Sequence, residues 1–248
     1  MSKQPGLGDQ FLISGYLIGG DIQQVAVHGG PAALDVTDIT QSAHSRLGGL
    51  RDGGITVTSF HDPSPGQAHA AFSPLPRGDV IGSYLRGQAI GSPAACCVAR
   101  QLNYDPTRAN DGMLTFAVEG QGDGYGLEWG LQLTPGARTD TGAANGTSLD
   151  TGGSLSFGAQ AYLQAVSFTG TDATVEIQDS ADNATFALVA GLSFSQVTGS
   201  TPLAQRIAIA NTATVRRYVR AISVTSGGFT SLKFAVVLAK NTVAGVIF

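Results

Sequence analysis

Short strand-length runs, separated by turn residues and repeated along the whole chain, narrow what this sequence can fold into. Ile55-Thr-Val-Thr-Ser-Phe60 follows a Gly53-Gly54 turn and is rich in β-branched residues. From Met113 to Gly120, Leu114, Phe116 and Val118 fall on one face of an extended segment, and Thr115, Ala117 and Glu119 on the other. Past residue 153, strands are predicted over Tyr162–Phe168, Thr174–Gln178, Phe186–Leu188, Arg206–Ile209, Val215–Val224 and Leu232–Leu238. Gly, Asn, Asp and Ser turns punctuate them, the pattern of an antiparallel sandwich. In the last strand Leu232, Phe234, Val236 and Leu238 share a face, which is a core face.

Helix is confined to short pieces. Thr40 can cap Gln41–Leu47, with Gly48-Gly49 as the stop. Gln67–Phe72 lies between Pro65-Gly66 and Ser73-Pro74, room for two turns at most. Cys96–Tyr104 reads in two ways. It is a strand joined to Met113–Gly120 through the turn-rich Asp105–Gly112, or a helix entered at Ser92-Pro93. The stretch Ala137–Gly153 lacks periodic apolar residues, so residues 141–153 are expected to link a domain at 1–140 to a second at 154–248. No internal repeat relates the two halves.

Composition then limits function. Of 248 residues only 13% are charged, about half the usual share of a soluble domain, while 34 are Gly. Charge is depleted where surfaces become protein–protein contacts. A net charge of −4 disfavours general binding to nucleic acid, which depends on neutralising phosphates. The two cysteines, Cys96 and Cys97, are adjacent; neighbours on a strand point to opposite faces, so they read as small buried hydrophobes, suited to folding in a reducing compartment. Met1–Gln10 has no positive-then-apolar leader pattern and no apolar run approaches a membrane span, so synthesis and folding in the cytoplasm without membrane insertion are expected. The sequons at Asn145 and Asn183 are then turn sequence.

No motif points to catalysis. His61, His69 and Asp62 match no metal-ligand spacing, and no Cys or carboxylate cluster completes a set; no metal or cofactor is expected. Gly120-Gln-Gly-Asp-Gly-Tyr-Gly126 lacks the G-x-G-x-x-G spacing and reads as a hairpin end. There is no G-x-S-x-G elbow and no paired carboxylates. Arg216, Arg217 and Arg220 form the only basic cluster. On a strand Arg216 and Arg220 share a face with Tyr218, a candidate surface contact for a carbohydrate or an anionic partner, or an ordinary solvated ladder.

A resemblance does emerge from the ordered set Gly29–Asp62, Ala68–Phe72, Gly91–Ala95, Gln101–Pro106, Leu114–Val118 and Gly124–Gly130, with Val175–Asn183 and Val215–Val219 beyond it. Together these stretches resemble the major tail, or tail tube, proteins of long-tailed, non-contractile bacteriophages, particularly those of actinobacteria. The resemblance implies a mainly β chain: a tail-tube-type β-sandwich or barrel domain with a short flanking helix, followed by a second antiparallel sandwich. It implies that Cys96–Tyr104 is a strand and Gln67–Phe72 the helix. It further implies a structural virion protein, not an enzyme. Copies would join edge to edge into rings and stack into the tube that conducts DNA into the host. Partners would be the chain itself and other tail proteins (tape measure, terminator, distal tail), with DNA passing without tight binding.

Under that resemblance, roughly Gly19–Leu47 is the inter-subunit arm, and Arg46, Leu47, Leu50, Arg51 and Asp52 form a candidate assembly loop. An acidic lumen would repel passing DNA, with Glu119 the first candidate and Asp123 and Glu128 the next. The C-terminal unit is either an outer decoration or a second tube-forming domain. A rival reading of the whole chain is a decoration or carbohydrate-binding sandwich, although one Trp and six Tyr are few platforms for sugars.

Overall fold

The computed structural model describes residues 5–75, 77–199 and 201–244. Residues 1–4 of the segment searched for a leader, and residues 1–4 and 245–248 of the two expected domains, lie outside them. Nearly every element is a strand. The first half comprises β1 (Gln10–Ile13), β2 (Tyr16–Leu17), β3 (Ile22–Asp35), β4 (Arg46–Phe60), helix α1 (Ala68–Phe72), β5 (Val80–Leu85), β6 (Pro93–Gln101), β7 (Asp105–Arg108), β8 (Leu114–Gly122) and β9 (Glu128–Gln132). The second adds β10 (Arg138–Asp140), β11 (Ala144–Asn145), β12 (Leu149–Asp150), β13 (Ala159–Gly170), β14 (Thr174–Ser180), β15 (Ala187–Ser193), β16 (Leu203–Ala208), β17 (Tyr218–Val224) and β18 (Phe229–Lys240).

All pairings are antiparallel and fall into two sheets. The larger runs β16-β13-β18-β9-β6-β5-β1-β2, with β8 joined to β6, β4 and β7, β3 on β4, and β10 on β18. The smaller runs β11-β17-β14-β15, with β12 also on β17. The larger sheet forks at β6: Pro93–Cys96 pair with β9, whereas Ala99–Gln101 pair with β8. Through β9 it reaches β18 and β13, and through β8 it reaches β4.

Side-chain alternation makes this forked sheet a stack of layers. Cys97 and Ala99 of β6 face Val57, Phe72, Phe116 and Val118, so one core lies between the β1-β5-β6 layer and the β4-β8 layer with α1. Ala94, Cys96 and Val98 point the other way, to Leu12, Tyr162, Ala235 and Val237, and make a middle core against β13 and β18. On β18, Leu232, Phe234, Val236 and Leu238 face the small sheet and make a third core with Val175, Ile177, Val219 and Ala221. Strands covered on both faces lose the apolar–polar alternation and read as nearly continuous apolar runs. Ala94–Ala99 and Phe234–Ala239 have that composition because each serves two cores.

Several sequence expectations are met and others corrected. Cys96–Gln101 is strand, the short helix forms one residue later than expected with Gln67 at its N-cap position, and the six C-terminal strands overlap β13 to β18, with Phe186, Ile209 and Val215, Arg216 and Arg217 falling outside them. Ala68 N–H donates to Asp21 Oδ2 (2.9 Å), which supplies the capping oxygen that the Gln67 side chain does not. The helix expected at 41–47 does not form. Asp38 Oδ1 instead accepts from the Thr40 amide (2.8 Å) and hydroxyl, a local turn that competes with helix entry, and Gly48 and Gly49 lie inside β4. The turn expected at 105–112 holds β7, paired with β8 from Asp105↔Ala117 to Arg108↔Leu114.

Residues 141–153 are not a free linker either. Ala144 and Asn145 pair with Ser223 and Ile222, and Leu149 and Asp150 with Val219 and Tyr218. This segment lies on β17 by backbone bonds and one close approach: Gly146 N–H donates to Ala221 O (2.9 Å), where a Cβ would stand 2.4 Å from that oxygen. Backbone pairing leaves no apolar period in the sequence. The halves also share the larger sheet, since β9 joins β6 to β18 and β10 pairs with β18 from Arg138↔Phe234 to Asp140↔Leu232.

Candidate assembly surface

The most conspicuous feature outside the cores is the β3–β4 hairpin, paired from Ile22↔Ser59 to Asp35↔Arg46 with two register shifts. Its root is anchored, because Gly54–Phe60 also pair with β8. Beyond Gly53, β4 pairs with β3 alone; Arg51 still faces the β8–β9 connection, and past it most residues of the ribbon are exposed. At roughly 3.4 Å per residue, Gly30–Asp35 with their partners carry the chain about 20 Å from the sheet. Leu34, Val36, Ile39, Leu47 and Leu50 are exposed there, Ile39 completely and Leu50 at 90%.

The tip is rigidified by its own hydrogen bonds. Thr37 N–H donates to Asp35 Oδ1 (3.0 Å), Ser45 N–H to Thr37 Oγ1 (2.9 Å) and Val36 N–H to Ser45 O (2.9 Å), while His44 Nδ1 lies 3.0 Å from Asp35 Oδ2. The Thr37 hydroxyl and amide hold the Asp35 carboxyl below the usual carboxylate range, and Thr40 does the same for Asp38. At the root, Gly53 meets the β8–β9 connection so closely that a Cβ would stand 2.4 Å from Leu127 N. The glycines read as a loose hairpin end therefore include positions of close backbone crossing: a Cβ on Gly122 would stand 2.9 Å from Tyr125 O.

Arg46, Leu47, Leu50, Arg51 and Asp52 are brought together here, but as the distal half of strand β4, not as a loop. The Gly-rich segment around them is flanked by β3 and so is held extended.

The three acidic candidates for a lumen separate. Glu119 is exposed on the outward face of β8, its N–H held by Asn103 Oδ1 (2.7 Å). Asp123 is half-exposed and paired with Arg100 (2.9 Å), which also reaches Asp79 (2.9 Å). Glu128 is buried and so cannot face a lumen; this corrects the sequence expectation. Arg206 of β16 clasps it with two bonds, Nη2 to Oε1 at 2.7 Å and Nε to Oε2 at 3.1 Å, and Tyr162 donates its hydroxyl to the same carboxylate. Tyr125 covers the guanidinium, with Arg206 Cζ 3.7 Å from its ring centroid. Burial works to lower the Arg206 pKa, but the bonds to Glu128 and the fields of Tyr162 and Glu128 outweigh it and raise it. Burial, with Glu128 beside it, pushes the Tyr162 phenol up.

The basic cluster is largely engaged within the fold. Arg216 Nε bonds Asp179 Oδ1 (2.7 Å), and Arg220 donates to Gln178 Oε1 (2.7 and 2.9 Å) over the Phe186 ring. Tyr218 lies half-buried between them, and Arg217, on the other face, makes a bidentate pair with Asp150 (2.6 and 2.8 Å). His61 and His69 do meet, with ring centroids 4.8 Å apart, and His69 Nδ1 lies 2.7 Å from Tyr104 Oη. No group of three or more His, Cys, Asp or Glu is placed to hold a metal among the described residues. No helix among them is long and apolar enough to cross a membrane.

A feature not singled out in the sequence is an open concavity of about 350 Å³ between β9, β12, β17 and the end of β18, with Trp129 at its lip. Its only sequence signal is a Trp in a strand otherwise flanked by Gly130.

No family model and no curated protein matches the chain. Among solved structures, a chain of the virion of a native gene transfer agent particle aligns at 12% identity and a TM-score of 0.41, covering 51% of this chain and 98% of its own. The Dit protein of phage SPP1, described as a hub adsorption apparatus in Gram-positive infecting phages, aligns at 11% identity and a TM-score of 0.32 over 94% of this chain and 99% of its own. A chain of the phage p2 baseplate in its activated conformation gives 10% identity and a TM-score of 0.32, over 94% and 98%. Likenesses at these scores carry no function to this chain.

Proposed function

We propose that this chain is a non-catalytic structural subunit of a phage-type tail, which assembles with copies of itself into stacked rings forming a tube for DNA. The observation that carries the reading is the β3–β4 hairpin. A two-stranded ribbon that is mostly exposed past Arg51, Leu and Ile included, gains nothing for an isolated subunit, yet suits a contact with another copy. Its tip is preorganised by the Asp35, Thr37 and Ser45 bonds, which lowers the ordering cost of association. The sequence resemblance points the same way. Heterologous contacts that close by rotation give rings, and stacked rings give a filament.

In this reading the distal β4 residues Arg46, Leu47, Leu50, Arg51 and Asp52 form an assembly contact. Glu119, exposed and without an ion-pair partner among the described residues, is the foremost lumen acid. The subunit would reside in the virion tail after synthesis in the host cytoplasm, beside tape-measure, terminator and distal tail proteins.

Negative-stain electron microscopy over a concentration series tests the proposal. Rings or hollow tubes support it. Monomers at every concentration, also in the presence of a tail initiator complex, count against it and favour a decoration or carbohydrate-binding role.

A further inference from the structure

The concavity beside Trp129 is lined by Pro93, Leu131 and Leu133 around the start of β6 and the end of β9, and by Leu149, Leu155 and Val219 around β12 and β17. Its single charge is already satisfied: Lys240 Nζ donates to Gly153 O (2.8 Å), Thr151 Oγ1 (2.9 Å) and Arg216 O (3.2 Å). With that cation engaged, the lining favours apolar groups and offers nothing to an anion. About 350 Å³ holds more than one aliphatic side chain, and Trp129, 53% exposed, stands half in water at the edge.

Few side chains of the chain itself could fill this recess. Among the large apolar ones of the described residues, only Leu7, Ile39 and Leu50 are at least nine-tenths exposed. Leu7 sits beside β1 in a turn closed by Asp9 N–H to Gly6 O (3.3 Å). Ile39 stands at the tip of the projecting β3–β4 hairpin, with the Leu34↔Leu47 rung behind it. The nearby acids have partners of their own: the Thr37 amide donates to Asp35 (3.0 Å) and the Thr40 amide to Asp38 (2.8 Å). Tip and recess can therefore meet without bringing Asp35, Asp38 or Lys240 into the contact unsatisfied, which burial would penalise.

Geometry decides whose tip it is. Arg51 shares a second depression with Trp129, Lys240 and Thr242, so the ribbon leaves the fold beside the concavity. From Arg51 to Arg46 it runs about 17 Å at roughly 3.4 Å per residue, and the tip lies beyond. A paired ribbon does not turn back onto its own root, and no residue of β3 or of the tip lines the concavity. The tip that reaches a given concavity belongs to another copy.

We propose that the hairpin tip of one copy seats in the Trp129 concavity of the next, with Ile39 against the indole. The inference rests on the self-assembly proposed above and names its socket. Because tip and socket are different surfaces, each copy donates one and accepts one, the heterologous contact that closes into rings or runs on into filaments.

Two variants separate the halves of the contact. I39D keeps the socket and Trp129, the only tryptophan; W129K blocks the socket, keeps the tip and has no tryptophan emission of its own. Far-UV circular dichroism checks that both fold. Titrating W129K into I39D should shift Trp129 emission to the blue and reduce its quenching by acrylamide, saturating at one W129K per I39D. A double variant carrying I39D and W129K should produce neither change. No response to W129K, at concentrations where the wild-type chain sediments as assemblies, would overturn the socket and leave self-assembly standing. A wild-type chain that stays monomeric throughout, with no response in the mixture, would sink both. An indole already shielded in dilute I39D and unaffected by W129K would mean that the same chain fills the concavity, which also overturns the proposal. If W129K does not fold, I39C is mixed instead with T242C, at an exposed rim position, or with T185C, exposed on the β14–β15 connection. A disulfide-linked dimer formed in clear excess with T242C supports the socket, and equal yields overturn it.

Discussion

At the scale of single residues, burial decides chemistry more than identity does. Cys96 and Cys97 are both fully buried, and burial pushes each thiol up to about 12. The thiolate is the reactive form, so neither should react with a thiol reagent at pH 8 in the folded protein, and both should react once denaturant is added. Glu128 and Arg206 make a harder case. A buried charge left alone is costly, so Arg206→Met should destabilise by roughly 3–5 kcal/mol in urea titration, whereas Glu128→Leu combined with Arg206→Met should recover most of that loss. Glu128 also marks where the sequence stops being readable. Its acidic character suggested an exposed strand position, and its partner lies 78 residues away, so nothing local distinguishes it from Glu119. The opposite facing of Cys96 and Cys97, by contrast, followed from strand geometry alone and is found.

Among elements, the β3–β4 hairpin carries the clearest expectations. Ile39→Asp and Leu50→Ser remove apolar groups that touch little else, so stability should change by no more than about 0.5 kcal/mol. Sedimentation should nevertheless show that assembly is lost, if the hairpin is the contact proposed. Gly53→Val acts differently: its side chain would strike the backbone at Leu127, an overpacked crossing costing about 1–3 kcal/mol and measurable by denaturation. The anchored part of this hairpin was visible in the β-branched Ile55–Phe60, because one face of that segment is buried. Gly30-Pro-Ala-Ala-Leu-Asp35 gave no strand signal. A segment exposed on both faces has no burial period to imprint on its residues, and its glycines and Pro31 argued for a loop. The short strands β10 to β12 were missed for a related reason: they attach by backbone bonds to β17 and β18.

For the whole molecule, carboxylates that pin strand ends and connections set an acid limit through their protonation. Arg217 and the Gly152 amide bring Asp150 down to about 2, and Asp172, gripping Ser226, Thr225 and Gly227, is also lowered. In the unfolded chain these groups titrate near 3.9. Their contribution is therefore complete above about pH 4 and is lost as pH falls, for Asp150 through about 2. Thermal unfolding followed by circular dichroism should show a nearly constant midpoint from pH 7 to 5 and a fall between 4 and 2, shallower in Arg217→Gln. The sequence showed two regions of strands but not that they share a sheet, since pairing of β9 with both β6 and β18 joins residues more than 100 positions apart. Apolar runs on β6 and β18 hinted at two-sided burial without saying what lay on either side. The fork at β6 also has a mechanical consequence. A pull on the projecting hairpin runs along β4, where the rungs from Gly54↔Gln121 to Phe60↔Thr115 lie across the direction of load. They are stressed together in shear and cannot open one at a time like a zipper. β8 hands the remaining tension to one end of β6 while β9 holds the other end, so force entering at the tip is shared among strands of the larger sheet on both sides of the fork.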